Sequence, residues 1–432
     1  MTDIYEIAEY TLEALKKSGA DAAQCIVSKS KKDELNVDGG KFSLMRSTFN
    51  TSISMKAIKD GKKGVTSINQ ATKEAIDEAA DQCISAAQSS VPDEAEQIAP
   101  FTAKAAYKTG VFEPELDKLF DRIEEFMSQT AAEYPKIILE QLISDYEHSE
   151  KLYMNTNGTS LKYEHGEYSF NTMFSAHEGE KASSFNGYFC ALDSLDKPFM
   201  DAGMQRQLLA ESEKQLDTVS PSEKFVGRVI YSPDCFNELL QTALENFASS
   251  GVLIDGTSPW KDALNTKVAS EKLNLRSVPL DGRTVVGQRF TSDGYPVEDM
   301  DIIIDGVLKT FILSQYGANK TGFPRSLNSG NNLEVLPGDK ALEEMISGID
   351  KGLIVNRFSG GQPSSNGDFS GVAKNSFLIE NGKVVSAVSE TMISGNIIDM
   401  LNNIVAVSKE QTTDGLSFMP WAEFDGVTVS GK

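Results

Sequence analysis

Ser232-Pro233-Asp234-Cys235-Phe236-Asn237-Glu238-Leu239-Leu240-Gln241-Thr242-Ala243-Leu244-Glu245-Asn246-Phe247 is the stretch from which the rest of the chain is best read. Ser232 is a natural N-cap. Pro233 takes the first helical position, where its missing N–H leaves nothing unsatisfied. Cys235 falls in the first turn, where the positive helix end favours a thiolate. A cysteine hydrolase also needs a base, and no histidine lies near in sequence, so packing is the simpler role for Cys235.

The 432 residues suit about three ordinary domains or two large ones. With 40% hydrophobic and 8% aromatic residues, a substantial core can form. Lys and Arg number 41 against 63 Asp and Glu, and 41 − 63 gives a net charge of −22. Such a chain repels phosphate backbones, and no Lys/Arg cluster is dense enough to reverse that, so nucleic acid is not an expected partner. The start, Met1-Thr2-Asp3-Ile4-Tyr5-Glu6, has neither a basic nor an apolar leader region, so no signal peptide is expected. No apolar run is long enough to span a membrane. Cys25, Cys83, Cys190 and Cys235 are far apart and form no CxxC, which fits reduced thiols and a cytoplasmic location.

Upstream, Ile4, Ile7, Ala8, Thr11, Leu12 and Leu15 fall on one helical stripe, with Gly19 as its stop. Strands are predicted at Ala22–Ser28, Glu34–Val37, Phe42–Arg46, Asn50–Lys59 and Val65–Asn69, then a helix over Thr72–Ala87. After a polar linker, Ser89–Pro100, the order recurs. A helix over Pro114–Glu133 precedes strands at Lys136–Asp145, Lys151–Asn155, Ser160–Glu164, Tyr168–Ala176 and Ala182–Ala191, and a helix starts near Lys197. This suggests a duplicated α+β unit. From residue 221 strand signals and glycines multiply: Thr284–Phe290, Met300–Ile304, Val307–Leu313, Ser376–Glu380 and Val384–Ser389, with one helix at Ala341–Ser347. Asp305-Gly306 and Asn381-Gly382 are hairpin turns. The fold class is therefore α+β: an N-terminal α+β domain over residues 1–220 and a mainly β C-terminal domain over 221–432.

Several C-terminal segments follow the opening helix in a fixed order. They are Leu333-Glu334-Val335-Leu336-Pro337-Gly338, Gly352-Leu353-Ile354-Val355 with Gly360-Gly361, and Gly367-Asp368-Phe369-Ser370; then Phe377-Leu378-Ile379-Glu380-Asn381-Gly382, Ile393-Ser394-Gly395-Asn396 and Gly426-Val427-Thr428-Val429-Ser430-Gly431. Together they resemble the TldD/PmbA family, once called modulators of DNA gyrase. The resemblance implies two paralogous types that assemble as a heterodimer. In it, a TldD-like subunit binds zinc through HExxxH and a distal cysteine, and cuts unfolded peptides such as a microcin precursor or an antitoxin. The PmbA-like (TldE-like) subunit lacks those ligands.

Here the HExxxH window reads Gln241-Thr242-Ala243-Leu244-Glu245-Asn246, and no cysteine follows Cys235. Catalytic zinc needs three good protein ligands and an open position for water. The amides of Gln241 and Asn246 are poor zinc ligands, and Thr242 is no base near neutral pH. No metal ligand, no catalytic residue and no cofactor are therefore expected in this chain, with zinc only in a TldD-like partner.

His148, His165 and His177 read as surface or hairpin-edge residues, with Glu164, Glu167 and Glu178 as solvated neighbours. Gly317-Ala318-Asn319-Lys320-Thr321-Gly322 lacks the phosphate-loop spacing and reads as a turn. Ser359-Gly360-Gly361-Gln362-Pro363-Ser364-Ser365-Asn366-Gly367 reads as a flexible loop, and the resemblance puts Gly367, Asp368, Phe369 and Ser370 near a peptide groove. Addition of an extended peptide to a sheet edge would need few specific side chains. The leading expectation is a PmbA/TldE-like, non-metal-binding subunit in cytosolic proteolysis or peptide maturation, inactive alone and partnering a zinc-bearing TldD-like paralogue. The alternatives are a stand-alone peptide-binding or regulatory homodimer, and a hydrolase using Cys235.

Overall fold

The computed structural model describes residues 3–360, 363–389 and 391–431. Met1, Thr2, Gly361, Gln362, Glu390 and Lys432 lie outside them, and with them the parts of the sequence readings that used Met1, Thr2, Gly361 and Gln362. The α+β class is observed.

The first unit runs α1 (Ile4–Lys17), β1 (Ala22–Asp38), β2 (Lys41–Lys59), β3 (Lys62–Ile68) and α2 (Lys73–Ser89). Next come β4 (Lys104–Gly110), α3 (Leu116–Glu133), β5 (Ile137–Asn155), β6 (Ser160–Glu178), β7 (Lys181–Ala182), β8 (Asn186–Leu192) and α4 (Gln205–Lys214). The sheet order is β3-β2-β1-β5-β6, with β4 and β8 both on β6. Antiparallel pairing of β1 with β5 joins the two helix–strands–helix sets edge to edge, in the recurring layout expected from sequence.

Strand lengths differ from expectation. Ala22–Ser28 and Glu34–Val37 are one strand of 17 residues, and β2, β5 and β6 each fuse two predicted strands into 19. At ~3.3 Å per residue these ribbons run for roughly 55–60 Å. The predicted breaks are polar, not irregular. Lys29-Ser30-Lys31-Lys32-Asp33 interrupts the apolar alternation of β1, yet Lys32 Nζ meets Glu147 Oε2 at 3.0 Å and Arg46 meets Glu34 at 3.0 Å across the strands. Other boundaries also move. The Ala182–Ala191 strand divides into β7 and β8, and the helix expected near Lys197 starts at Gln205, after a 3-10 turn over Phe199–Asp201. The "linker" before β4 holds a buried anchor, Glu96, which pairs with Lys56 at 2.8 Å and also with Lys63.

The two faces of this sheet differ sharply. One packs on helices: Ile7, Leu15, Ile76 and Ala80 against Val27, Ile53 and Leu152, and Ile123 and Phe126 against Leu142, Phe170 and Phe174. The other face is polar. Register places Ser28 beside Lys151, Ser30 beside Ser149, and Lys32 beside Glu147, with Tyr163, His165 and Glu167 opposite Lys151, Ser149 and Glu147.

The second sheet begins at β9 (Thr218–Val219), just ahead of residue 220 where the boundary was expected, because β9 already pairs with β19. It continues with β10 (Phe225–Tyr231), α5 (Pro233–Ala248), α6 (Ser250–Ile254), β11 (Leu275–Ser277), β12 (Met300–Ile304), β13 (Val307–Leu308) and α7 (Gln315–Thr321). Then follow β14 (Leu333–Val335), α8 (Leu342–Ser347), β15 (Lys351–Val355), β16 (Arg357–Gly360), β17 (Asp368–Lys374), β18 (Ser376–Glu380) and β19 (Lys383–Val388). The last elements are β20 (Thr391–Asn396), α9 (Ile397–Asn402), β21 (Ile404–Thr413) and β22 (Phe418–Ser430). β22 is the hub, pairing with β10, β14, β20 and β21.

Three expectations fail in this half. Residues 284–290 form no strand, because their backbone pairs with other loops: Val285 N–H donates to Gly415 O, and Val297 N–H to Arg289 O. The strand predicted over 307–313 stops at Leu308. The 317–322 "turn" is α7, capped by Ser314 and closed by left-handed Gly322 at φ 76°. Both hairpin turns hold, with φ of 50° and 74° at Asp305 and Gly306, and 49° and 73° at Asn381 and Gly382.

Candidate functional site

Helix α5 is fixed at both its start and its inner face. Ser232 Oγ accepts from Cys235 N–H at 3.4 Å and donates to Asn356 O at 3.2 Å, which ties the cap to the strand beside it. Phe236, Leu240, Ala243, Leu244 and Phe247 are buried, and Phe236 stands edge-on to Phe424 of β22 at 5.7 Å. With its apolar stripe anchored, the helix must turn its polar face outward.

That face separates two cavities. The larger, about 800 Å³, has the polar face of the first sheet as its floor (Ser149, Lys151, Tyr163) and α5 as one wall (Asn237, Gln241, Leu244, Glu245). Residues 286–290 and 329–333 close the other side. The loop carrying Phe290 is seated by contacts to the first sheet: Gln24 Nε2 donates to Ser292 O at 3.2 Å, and Thr102 Oγ1 to Gly294 O at 2.7 Å. Gly294, at φ 90°, lies against the Tyr153 ring, where any Cβ would collide. The smaller cavity, about 490 Å³, is lined on the α5 side by Cys235, Glu238, Gln241, Thr242 and Glu245, and across from it by Phe358, Pro363 and Phe369. Gln241 and Glu245 border both.

Each predicted position can now be placed. Gln241 is exposed, its Nε2 donating to Asn237 Oδ1 at 3.4 Å, and Thr242 Oγ1 donates to Glu238 O at 2.8 Å, one turn back. Asn246 is half-buried further along. The Gln241 amide and Thr242 hydroxyl are engaged with their own helix, and the donor chemistry of two amides and a hydroxyl does not fit a catalytic zinc ion. Among the described residues no group of three or more His, Cys, Asp or Glu side chains is arranged to hold a metal ion.

Of Gly367, Asp368, Phe369 and Ser370, Phe369 reaches the smaller cavity, edge-on to Phe358 at 5.7 Å. Gly367 packs near the Phe247 ring at φ 92°. The Asp368 carboxylate accepts from Asn366 and Asn396 at 2.9 Å each, and these bonds hold it below its ordinary pKa. Ser370 pairs with Ser394.

Cys235 is buried at 3% exposure, and burial, reinforced by Glu238 and Asp234, pushes its thiol up. Burial thus outweighs the helix end's pull towards a thiolate, in keeping with the packing role read for Cys235. The histidines all sit on β5 and β6, not beside Cys235. One correction concerns them: His165 is buried at 2%, and not at a surface, because its ring packs beside Tyr163 and under the Thr109 hydroxyl at 2.8 Å. His148 lies 3.1 Å from Glu164, and His177 is exposed.

Sequence reasoning missed the larger cavity's floor and far wall. Lys151 and Tyr163 are ordinary strand residues until β5 and β6 align them, and 286–290 carry a strand-like pattern that conceals a loop.

Family models of PmbA/TldA metallopeptidase domain 1 and of the PmbA/TldA metallopeptidase C-terminal domain match residues 23–87 and 224–431. Metalloprotease PmbA of Escherichia coli O157:H7 is 32% identical over 155 residues, covering 35% of this chain and 34% of that protein. A zinc metalloprotease TldD homolog of Saccharolobus solfataricus is 28% identical over 220 residues, covering 47% and 49%. The chain thus spans about a third to a half of the length of the first curated relatives it matches. TldE from Thermococcus kodakarensis shares the fold over 98% of this chain and 100% of its own, with a TM-score of 0.82 at 21% identity.

Proposed function

Since the chain belongs to the PmbA/TldD metallopeptidase family, we propose that it is a PmbA/TldE-like subunit that encloses an extended peptide for a zinc-bearing TldD-like partner. One observation carries this reading: the outward face of α5 fronts two cavities with Gln241 and Thr242, and Asn246 follows further along, where a zinc peptidase would need two imidazole ligands and a general-base carboxylate. A subunit with such a helix can bind, orient and shelter a chain, but cannot lower the pKa of a water molecule through a metal. In this reading the chain acts in cytosolic proteolysis or peptide maturation. Among the described residues no helix is long and apolar enough to cross a membrane.

Affinity purification of the chain from its native host at physiological salt is the test. The expected outcome is near-stoichiometric recovery of a paralogue carrying HExxxH, with zinc tracking that paralogue in metal analysis. Recovery of the chain as a homodimer that still binds peptides would favour a stand-alone binding protein. Stoichiometric zinc in the isolated chain would overturn both readings.

A further inference from the structure

The larger cavity is lined by two cations, Lys151 and Arg289, as well as by two acids, Glu245 and Asp414. Lys151 reaches into it from β5, with Nζ 5.8 Å from the centre of the Phe290 ring, and Arg289 enters from the facing loop, 5.5 Å from the Tyr163 ring. Arg289 Nη1 is held by Pro279 O at 2.6 Å, which aims the guanidinium without neutralising it. Among the described residues neither cation has a carboxylate partner, although the chain carries 63 acidic residues against 41 basic ones. Both are half-buried, and burial holds the Lys151 ammonium below its ordinary pKa. Two acidic groups also border the cavity. Asp414 Oδ1 already accepts from the N–H groups of Leu416 and Ser417 at 2.8 and 2.7 Å, and Glu245 is exposed on α5. Desolvated cations kept apart from carboxylates retain a demand for an anion that solvated ones lose to water.

We propose that this cavity is a carboxylate-binding subsite in which Lys151 and Arg289 receive an anionic group of a bound peptide, either its free C-terminus or an Asp/Glu side chain. The inference rests on the peptide-enclosing reading above and adds a selectivity to it. Because the chain is strongly acidic, long-range electrostatics oppose acidic peptides, so a preference for them must originate locally.

Calorimetric titration of the full chain (or of its complex, if it co-purifies with a partner) tests this with three acetylated hexapeptides. One alternates alanine with glutamate and is C-terminally amidated; the second replaces glutamate by glutamine; the third is the glutamine peptide with a free C-terminal carboxylate. At least one carboxylate peptide is expected to bind roughly tenfold more tightly than the neutral one, and which one does so identifies the source of the anion. Lys151→Met and Arg289→Gln should bring the carboxylate and neutral peptides to equal affinity, and Lys151→Arg should keep the difference; thermal melts confirm that each variant folds. Equal affinity for all three peptides overturns the subsite but leaves peptide enclosure standing. Failure of every peptide to bind overturns both.

Discussion

Glu167 shows how a single side chain can set a pH response. It stands on β6 with Oε2 3.1 Å from His165 Nε2, and neither atom has a hydrogen-bond partner among the described residues. Burial first, then the nearby Glu147 and Asp145, push its carboxyl up to about 7, with Lys32 opposing, while burial pulls the His165 ring down. The pKa in the folded chain thus lies above the ~4.3 of an unfolded glutamate. The stability tied to this proton is therefore present in full below the unfolded value, and is lost as pH rises through the folded one. Glu167→Gln stays neutral throughout and nearly keeps the side chain's size. It is expected to match the wild type near pH 5 and to exceed it near pH 8 by at most about 3 kcal/mol. Chemical denaturation at the two pH values measures this, and a wild-type stability that rises between them would contradict it.

Helix α5 is the element on which both cavities depend, and its cap is its most exposed weakness. Ser232 satisfies the Cys235 N–H and bonds the Asn356 carbonyl, so Ser232→Ala removes a cap and a tether together. A loss of about 1–2 kcal/mol is expected, measured by urea unfolding. The cap, the proline and the helix itself were legible in the sequence because they depend on neighbours a few residues apart. So were the α1 stripe and the two hairpin turns. The long ribbons were not. Their centres are held by pairs such as Lys32–Glu147, whose members lie on different strands, and alternation along one strand carries no trace of a partner on another.

The two sheets are held together by one shared apolar core. Ile230, Met345, Ile349, Ile379 and Trp421 of the second half cluster with Phe170, Phe199, Met200 and Leu209 of the first. Trp421→Ala should therefore cost about 3–5 kcal/mol, and the loss should extend to both halves. In that variant the remaining Trp260 reports only the second core, while far-ultraviolet circular dichroism reports the whole chain. Coincident unfolding midpoints by the two probes are expected; separated midpoints would show that the halves unfold independently.

Local chemistry in the chain was enough to give the α+β class and the capped helix, since each depends on residue type and short spacing; that Gln241, Thr242 and Asn246 stand at metal-site positions is what the family resemblance implies. Which face of the helix borders a cavity, and what stands across from it, came only with folding. Lys151 and Arg289 are 138 positions apart in the numbering; only the docking of the 286–290 loop onto the β5–β6 face brings them to one space, because proximity across two sheets is a property of packing and not of sequence neighbours.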